Sequence, residues 1–294
     1  RGGKMAYILV VIAGISWGLI GVFTKAIAAL GFAEMQMLFV KGVIASTVLF
    51  LITFFKDKSQ LKLKHWKDIR YFFGTGIVSF AFFSWAYMKA VNLTNLGVAA
   101  VLLYTAPTFV MLFSILLFGE KMTKTKGIVL LMTFVGCIFV TGLLEGGMNF
   151  TWQGIAIGLA AGVGYALYSI FGTYAIKAGY GSLTISLYTF LMATIVMTCL
   201  VEPVEVVSRI TEMGQWPLAV SFALLTTVLP YLTYTKGLSG LPASKASVTA
   251  TIEPVVAALL GIFVFHESVS MLKLTGIVLV LSSVVVMSRQ SEKE

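Results

Sequence analysis

In the run VTATIEPVVAALLG, residues 248–261, a carboxylate and a proline stand side by side, Glu253 and Pro254, in otherwise nearly apolar sequence. A charged side chain at bilayer depth costs on the order of 2.5–3.5 kcal/mol on insertion scales, so it is expected to face a bundle interior or a wet cavity. A proline inside a helix frees the carbonyl four residues back, here near Ala250, which is tolerable where it lines a cavity. Glu253 therefore reads as a group that binds a substrate ammonium or carries a proton, against the alternative of a hydrogen-bonded structural carboxyl. Lys41, about seven residues into another apolar segment, is its counterpart of opposite sign. It would meet a substrate carboxylate or Glu253 in a cavity, or snorkel to the outer interface. Lys41 and Glu253 together suit a zwitterion, with one charge for each end.

Aromatic side chains supply the apolar part of such a site. Trp17, Tyr87, Tyr104, Tyr165, Tyr168 and Tyr234 lie within apolar segments, as do Trp85, Tyr188 and Tyr231. Trp17 and Tyr165 sit beside glycines, in G-I-S-W-G and G-V-G-Y, where glycine lets a neighbouring helix approach and leaves the ring as a lining group. Such rings hold an apolar side chain, or a cation over their faces. Trp66, Trp152 and Trp216 stand at segment ends and read as interfacial anchors. With Lys41 and Glu253, the first six aromatics form the expected substrate-binding set. No catalytic residue, metal site or cofactor is expected. The chain has two histidines, His65 and His266, and no H-E-x-x-H, phosphate-binding loop, G-x-S-x-G or C-x-x-C. Cys137 and Cys199 read as small residues inside apolar segments.

The elements that must position these residues follow from composition. The 294 residues are 59% hydrophobic and 11% charged, with mean hydropathy +0.97, whereas a soluble domain is about a quarter charged. The expected fold class is therefore an all-α polytopic membrane protein. Ten spans can be marked, at 6–24, 34–55, 71–91, 98–118, 126–143, 152–174, 182–201, 216–236, 245–265 and 271–288. The first could be mistaken for a signal peptide, with Lys4 ahead of it and A-x-A at Ala26–Ala28. Trp17 and the glycines suit a packed helix better.

The net charge of +9 does not call for nucleic acid, because the basic residues crowd short connections. One side collects Lys56, Lys58, Lys62, Lys64, Lys67 and Arg70, then Lys121, Lys124 and Lys126, with Lys177, Lys236, Lys245 and both termini. The other keeps Lys25, Lys89, Arg209 and Lys273 and carries Glu145, Glu202, Glu205 and Glu212. The positive-inside rule makes the first side cytoplasmic.

The chain also repeats itself. VLLYTAPTFVMLFS at 101–114 aligns with residues 248–261 at an offset of 147, Tyr87 meets Tyr234, Pro107 meets Pro254, and Gly119-Glu120 meets His266-Glu267. AGISWGLIG at 13–21 matches AGVGYALYS at 161–169. Two units of five spans are expected, 1–146 and 147–294. An odd number of spans inverts the second relative to the first, an arrangement found in transporters with a midplane site. Gly154, Gly158 and Gly162 read as a close-packing stripe, and Glu120 and Glu267 as residues that fix loops or gates.

The runs P-T-F-V-x-L-F-S-I-L-L-F-G-E-K-M-T at 107–123 and E-P-V-V-A-A-L-L-G-I-F-V-F-H-E-S-V at 253–269, with the glycine-tryptophan opening at 14–18, resemble EamA-type repeats. The resemblance, over essentially the whole chain, is to ten-helix members of the drug/metabolite transporter superfamily. His266 departs from a common glycine, and Lys41 stands where arginine is common, keeping the charge without the planar fork. The resemblance implies a secondary transporter in the cytoplasmic membrane, in a superfamily whose members move amino acids, other metabolites, nucleobase-type compounds and amines; the charges of Lys41 and Glu253 favour export or exchange of an amino acid or related amphipathic metabolite by alternating access. The alternative is transport of an amine or quaternary ammonium cation through an aromatic cage, which requires Lys41 to point elsewhere. The expected partners are the small-molecule substrate and the lipid bilayer, with protons as a coupling ion in one reading and uniport in the other. One copy suffices for the path.

Overall fold

A computed structural model of the chain describes residues 2–145 and 151–290. The expected boundary between the two units, at residues 146 and 147, lies outside the described residues. In chain order the α-helices are α1 (Gly2–Gly18), α2 (Ile20–Ala28), α3 (Glu34–Lys56), α4 (Ile69–Phe73), α5 (Phe82–Leu93), α6 (Leu96–Leu103), α7 (Ala106–Phe118), α8 (Lys124–Val140), α9 (Trp152–Lys177), α10 (Ser182–Thr198), α11 (Pro203–Glu212), α12 (Trp216–Ala223), α13 (Leu229–Leu238), α14 (Ala243–Ala250), α15 (Ile252–Phe265) and α16 (Met271–Gln290). No strand occurs among the described residues.

Eight helical stretches among the described residues are long and apolar enough to cross a bilayer. They are Gly3–Ala28, Glu34–Lys56, Trp66–Leu93, Leu96–Phe118, Trp152–Lys177, Trp216–Leu238, Ala243–Phe265 and Met271–Arg289. A ninth is reached if α10 and α11, bent by 100° against each other, form one span. The sequence expectation was ten. The two marked spans outside the eight are α8 and α10, each 17 residues long, at the short end of what crosses the hydrocarbon. Large apolar side chains face outward along these helices, among them Phe55, Leu116, Leu131, Phe263 and Val278. In water such a surface would be a liability; facing lipid it is what an integral membrane protein requires.

Several spans are broken, and the breaks position the polar groups. Leu96–Phe118 is interrupted at Tyr104–Thr105, and Ala243–Phe265 at Thr251. This corrects the reading of Pro254 as a proline inside a continuous helix. It is the third residue of α15, in a first turn whose N–H groups have no intrahelical acceptor, so its missing donor costs little. Pro107 stands likewise in the first turn of α7. The break at Thr251 is closed locally: its N–H donates to the Val248 carbonyl at 3.1 Å, and its hydroxyl to the same carbonyl at 2.5 Å. Two further spans carry π-helical stretches with wide turns, Gly74–Ala81 and Leu224–Val228.

Close approach of the helices rests on small residues. A Cβ on Gly14 would stand 2.4 Å from Ile252 Cγ2 and 3.0 Å from the Ala250 carbonyl oxygen, and one on Gly18 2.6 Å from Val256 Cβ. Glycine at both positions lets α1 lie against the α14–α15 break. Gly154, Gly158 and Gly162 do the same for α9 against Thr94, Leu102 and Thr105, as their spacing predicts. The core at the centre of the bundle is aromatic, with Trp17, Phe80, Tyr168, Phe190, Tyr231 and Tyr234 all buried.

On the side expected to be cytoplasmic, the basic connection after α3 is tied down. Tyr180 donates to Asp68 Oδ2 at 2.7 Å and accepts from the Lys64 backbone N–H at 2.8 Å. Lys64 Nζ donates to the Gly179 carbonyl at 2.8 Å, just past the end of α9. Burial of Tyr180, ahead of its bond to Asp68, raises its phenol above the ordinary value. The Ser59 hydroxyl, then Gln60 and the Ser59 N–H, hold the Asp57 carboxyl below the ordinary carboxylate value.

Candidate functional site

At the α14–α15 break Glu253 becomes the second residue of α15, in its first turn. The positive end of the helix dipole favours a carboxylate there. Its oxygens are held from two other helices. Tyr104 donates its hydroxyl to Oε1 at 3.3 Å from the break between α6 and α7, and Tyr165 donates to Oε2 at 3.2 Å from the middle of α9. Two phenol donors leave lone pairs of the carboxylate available for a further donor.

This carboxylate opens onto a small cavity between the helices. Trp17, Phe83, Tyr104, Tyr165, Tyr168, Tyr231 and Tyr234 supply the rings of its lining; Ser79, Ser169, Ser247, Thr251 and Glu253 supply the polar side chains. Trp17 sits among rings, with centroids 5.3 Å from Tyr231, 5.3 Å from Tyr234 and 6.2 Å from Tyr165. Tyr168 shares a hydrogen bond with Thr235 at 2.7 Å and Tyr234 one with Ser169 at 2.6 Å, so these two phenols tie α9 to α13. Ser247 Oγ is buried without a hydrogen-bond partner and is a ready donor or acceptor for a ligand.

Six of the eight sequence-predicted residues meet at this cavity: Trp17, Tyr104, Tyr165, Tyr168, Tyr234 and Glu253. Tyr87 and Lys41 stand outside its lining. Tyr87 packs against the cluster of Ala86, Leu103 and Ala161, against which Tyr165 also packs. Lys41 is buried in α3 at 6% exposure, with Nζ 5.0 Å from the ring of Phe222 and 5.8 Å from that of Phe80. It neither snorkels to the interface nor pairs with Glu253. Tyr231 is the ring the sequence signals under-rated. It touches Trp17, Phe80, Tyr168 and Phe190 at once. The serines and threonine of the lining were also missed. Ser247 lies in α14 and Thr251 at its C-terminal cap, small polar residues in an apolar span, which is the signal that marks them.

Away from the cavity, carboxylates and lysines pair near the helix ends. Lys126 lies 3.1 Å from Glu120, with both side chains largely buried, and Glu120 also accepts from the Ser244 hydroxyl. Lys273 lies 3.2 Å and Lys25 3.8 Å from the more exposed Glu267. Glu120 and Glu267 thus brace connections, the role their positions predicted for them.

A bundle of apolar helices with broken spans, holding one carboxylate in an aromatic cavity, is the architecture of a membrane transporter. The EamA-like transporter family matches this chain twice, over residues 4–142 and 152–289, and the chain belongs to that family. Among its relatives, an uncharacterized transporter of Archaeoglobus fulgidus is 27% identical over 217 residues, covering 73% of this chain and 76% of that protein. The threonine/homoserine exporter RhtA of Escherichia coli is 25% identical over 237 residues, 80% of this chain and 75% of RhtA. The uncharacterized transporter YdfC of Bacillus subtilis is 26% identical over 218 residues, 74% of this chain and 71% of YdfC. A solved crystal structure covers 99% of this chain and 98% of its own with a TM-score of 0.78, and at 17% identity that likeness speaks for the fold. These relatives are transporters, not enzymes, and the chain is an integral membrane protein.

Proposed function

We propose that this chain is a secondary transporter of a small ammonium-bearing organic solute, an amino acid or related metabolite, which it exports or exchanges across the cytoplasmic membrane by alternating access. The observation that carries this reading is Glu253. It is the one charged side chain in the cavity lining, held by Tyr104 and Tyr165 beside the rings of Trp17, Tyr231 and Tyr234. A carboxylate flanked by ring faces suits an ammonium group, and the cavity's apolar rings suit the side chain attached to it. That a relative is named a threonine/homoserine exporter supports an amino acid and the outward direction.

Alternating access rests on ten spans in two inverted units, 1–146 and 147–294, with both termini cytoplasmic. The packing supports that division. α13 lies on α1 as α5 lies on α9, while α14 and α15 approach α1 as α6 and α7 approach α9. α3 pairs with α10 and α8 with α16, the pairs that would lie across the axis. The breaks at Tyr104 and Thr251, the two π-helical stretches and the left-handed caps at Gly119 and His266 fall at the same places in the two units. The positive-inside asymmetry sets the orientation. Proton exchange at Glu253 supplies the coupling in this reading, and one copy holds the whole path.

A second reading, transport of an amine or quaternary cation, is favoured by one observation: Lys41 stays out of the lining, so no cationic side chain there repels a cation. The test is thermal stabilisation of purified protein against amino acids, amines and nucleobases, followed by flux in proteoliposomes. A ligand of the native state raises the melting temperature by mass action. Stabilisation by ammonium-bearing solutes that vanishes in Glu253→Gln is the expected result. Stabilisation that survives Glu253→Gln, or is confined to solutes without an amine, overturns the reading.

A further inference from the structure

We propose that Lys41 forms a second, carboxylate-binding subsite one aromatic layer away from the Glu253 cavity, reached when the Phe80 ring moves aside. The inference rests on the reading of that cavity as a site for an ammonium-bearing solute, and it narrows the solute to one that also carries a carboxylate.

Lys41 is 6% exposed, in the first third of α3. An ammonium has three N–H donors and no acceptor. Among the described residues no carboxylate lies within ion-pair distance of Nζ and no oxygen accepts from it. What faces it is two rings, Phe222 at 5.0 Å and Phe80 at 5.8 Å. Ring faces offset a part of the desolvation of a cation but do not satisfy its donors. A buried cation of this kind is prepared for an anion that the chain does not itself provide.

Phe80 touches both this ammonium and the rings that line the cavity. Its ring lies 5.7 Å from Tyr231 and 5.9 Å from Phe83, and both of those line the cavity. The next residue back, Ser79, is itself in the lining and donates to the Gly164 carbonyl at 2.7 Å. Phe80 also belongs to the π-helical stretch Gly74–Ala81, while Phe222 stands just before the other one, Leu224–Val228. A wide turn that relaxes to the ordinary i→i+4 ladder turns its side chains about the helix axis, so both rings over Lys41 sit where a small backbone change reorients them. With Phe80 displaced, a carboxylate on a solute in the cavity would reach Lys41 through charge-assisted hydrogen bonds.

The experiment measures binding to the full chain in lipid nanodiscs for matched pairs: neutral L-amino acids, threonine and homoserine included, and their methyl esters. The ester keeps the ammonium and the side chain and removes the carboxylate charge. Wild type is expected to bind at least one amino acid about tenfold or more tightly than its ester. Lys41→Gln is expected to abolish that preference by weakening the acid alone, and Lys41→Arg to retain it. A merely structural lysine would leave the acid-to-ester ratio unchanged, and that result overturns the proposal. So does a wild type in which no amino acid binds more tightly than its ester, a readout that needs no variant to fold. If Glu253→Gln weakens both members of the pair while Lys41→Gln leaves the ratio alone, the ammonium site stands and only the carboxylate subsite falls. If Glu253→Gln changes neither, the reading of the cavity itself has failed.

Discussion

Tyr165, in the middle of α9, donates its hydroxyl to Glu253 at 3.2 Å, within the second of the two sequence repeats. Its repeat mate Trp17 has no hydroxyl and instead stacks its edge among Tyr165, Tyr231 and Tyr234. The same position in the two repeats therefore does different work: one ring orients the carboxylate and the other walls the space in front of it.

Removal of either hydroxyl should be felt at that carboxylate. A hydrogen bond to a charged group contributes about 1.5–3 kcal/mol. Tyr165→Phe and Tyr104→Phe should each loosen Glu253 and weaken binding of an ammonium-bearing ligand, by up to about tenfold, while Glu253→Gln should weaken it by roughly 10- to 100-fold. Titration calorimetry on the three variants checks the order. Equal, negligible effects would mean that Glu253 braces helices and binds nothing.

Gly14 and Gly18 should tolerate no side chain. A methyl group at Gly14 meets Ile252 and the Ala250 carbonyl, and one at Gly18 meets Val256. Overpacking of this kind costs about 1–3 kcal/mol. Gly14→Ala and Gly18→Ala should lower the melting temperature, whereas Gly21→Ala, with open space around it, should not.

The αL caps that end α7 and α15 make opposite predictions. Gly119 takes φ of 69° without strain, and His266 takes φ of 54° as the one non-glycine residue with positive φ among those described. Replacement of Gly119 by alanine should cost about 1 kcal/mol, and His266→Gly should stabilise by a similar amount. Melting curves that move in the same direction would contradict the assignment of backbone strain to His266 and not to Gly119.

The two Glu–Lys pairs should differ in worth although their spacing is the same. The Glu120 and Lys126 side chains are 14% and 6% exposed, and the loss of one partner from a buried pair costs about 3–5 kcal/mol. Glu267 is 43% exposed, so its bond to Lys273 contributes about 1 kcal/mol or less. Lys126→Met should therefore destabilise several times more than Lys273→Met in thermal unfolding.

The strap over the end of α9 sets its own pH window. Asp57 is depressed in the folded chain, so its contribution is present above the ordinary carboxylate value of about 3.9 and is lost as pH falls below it. Tyr180 is raised, so its contribution is present below about pH 10 and is lost as pH rises further. Proteolysis of the connection between α3 and α4 should thus be flat from pH 5 to 9 and accelerate beyond both ends. A change inside that window would point to a different group.

The sequence by itself determined that this is a helical membrane protein with a repeated plan, because twenty-residue apolar runs admit few other solutions and because the repeat is written in residue identity. It also marked Glu253, since a carboxylate in hydrocarbon is too costly to be incidental, and the small residues at Gly14, Gly18 and Gly154–Gly162, since their spacing follows a helix face. Only the tertiary structure decided which groups meet. That Pro254 opens a helix after a break at Thr251 depends on α1 packing against that break, a long-range contact with no local signature. That Tyr231 lines the cavity while Tyr87 does not depends on helix rotation, which periodicity leaves open when a span is apolar all round. That Lys41 lies against Phe80 and Phe222, outside the cavity lining, depends on which rings of α12 and the Gly74–Ala81 stretch pack against α3. Charge and period along one chain do not encode that choice, because it is settled by the shapes of three helices packed together.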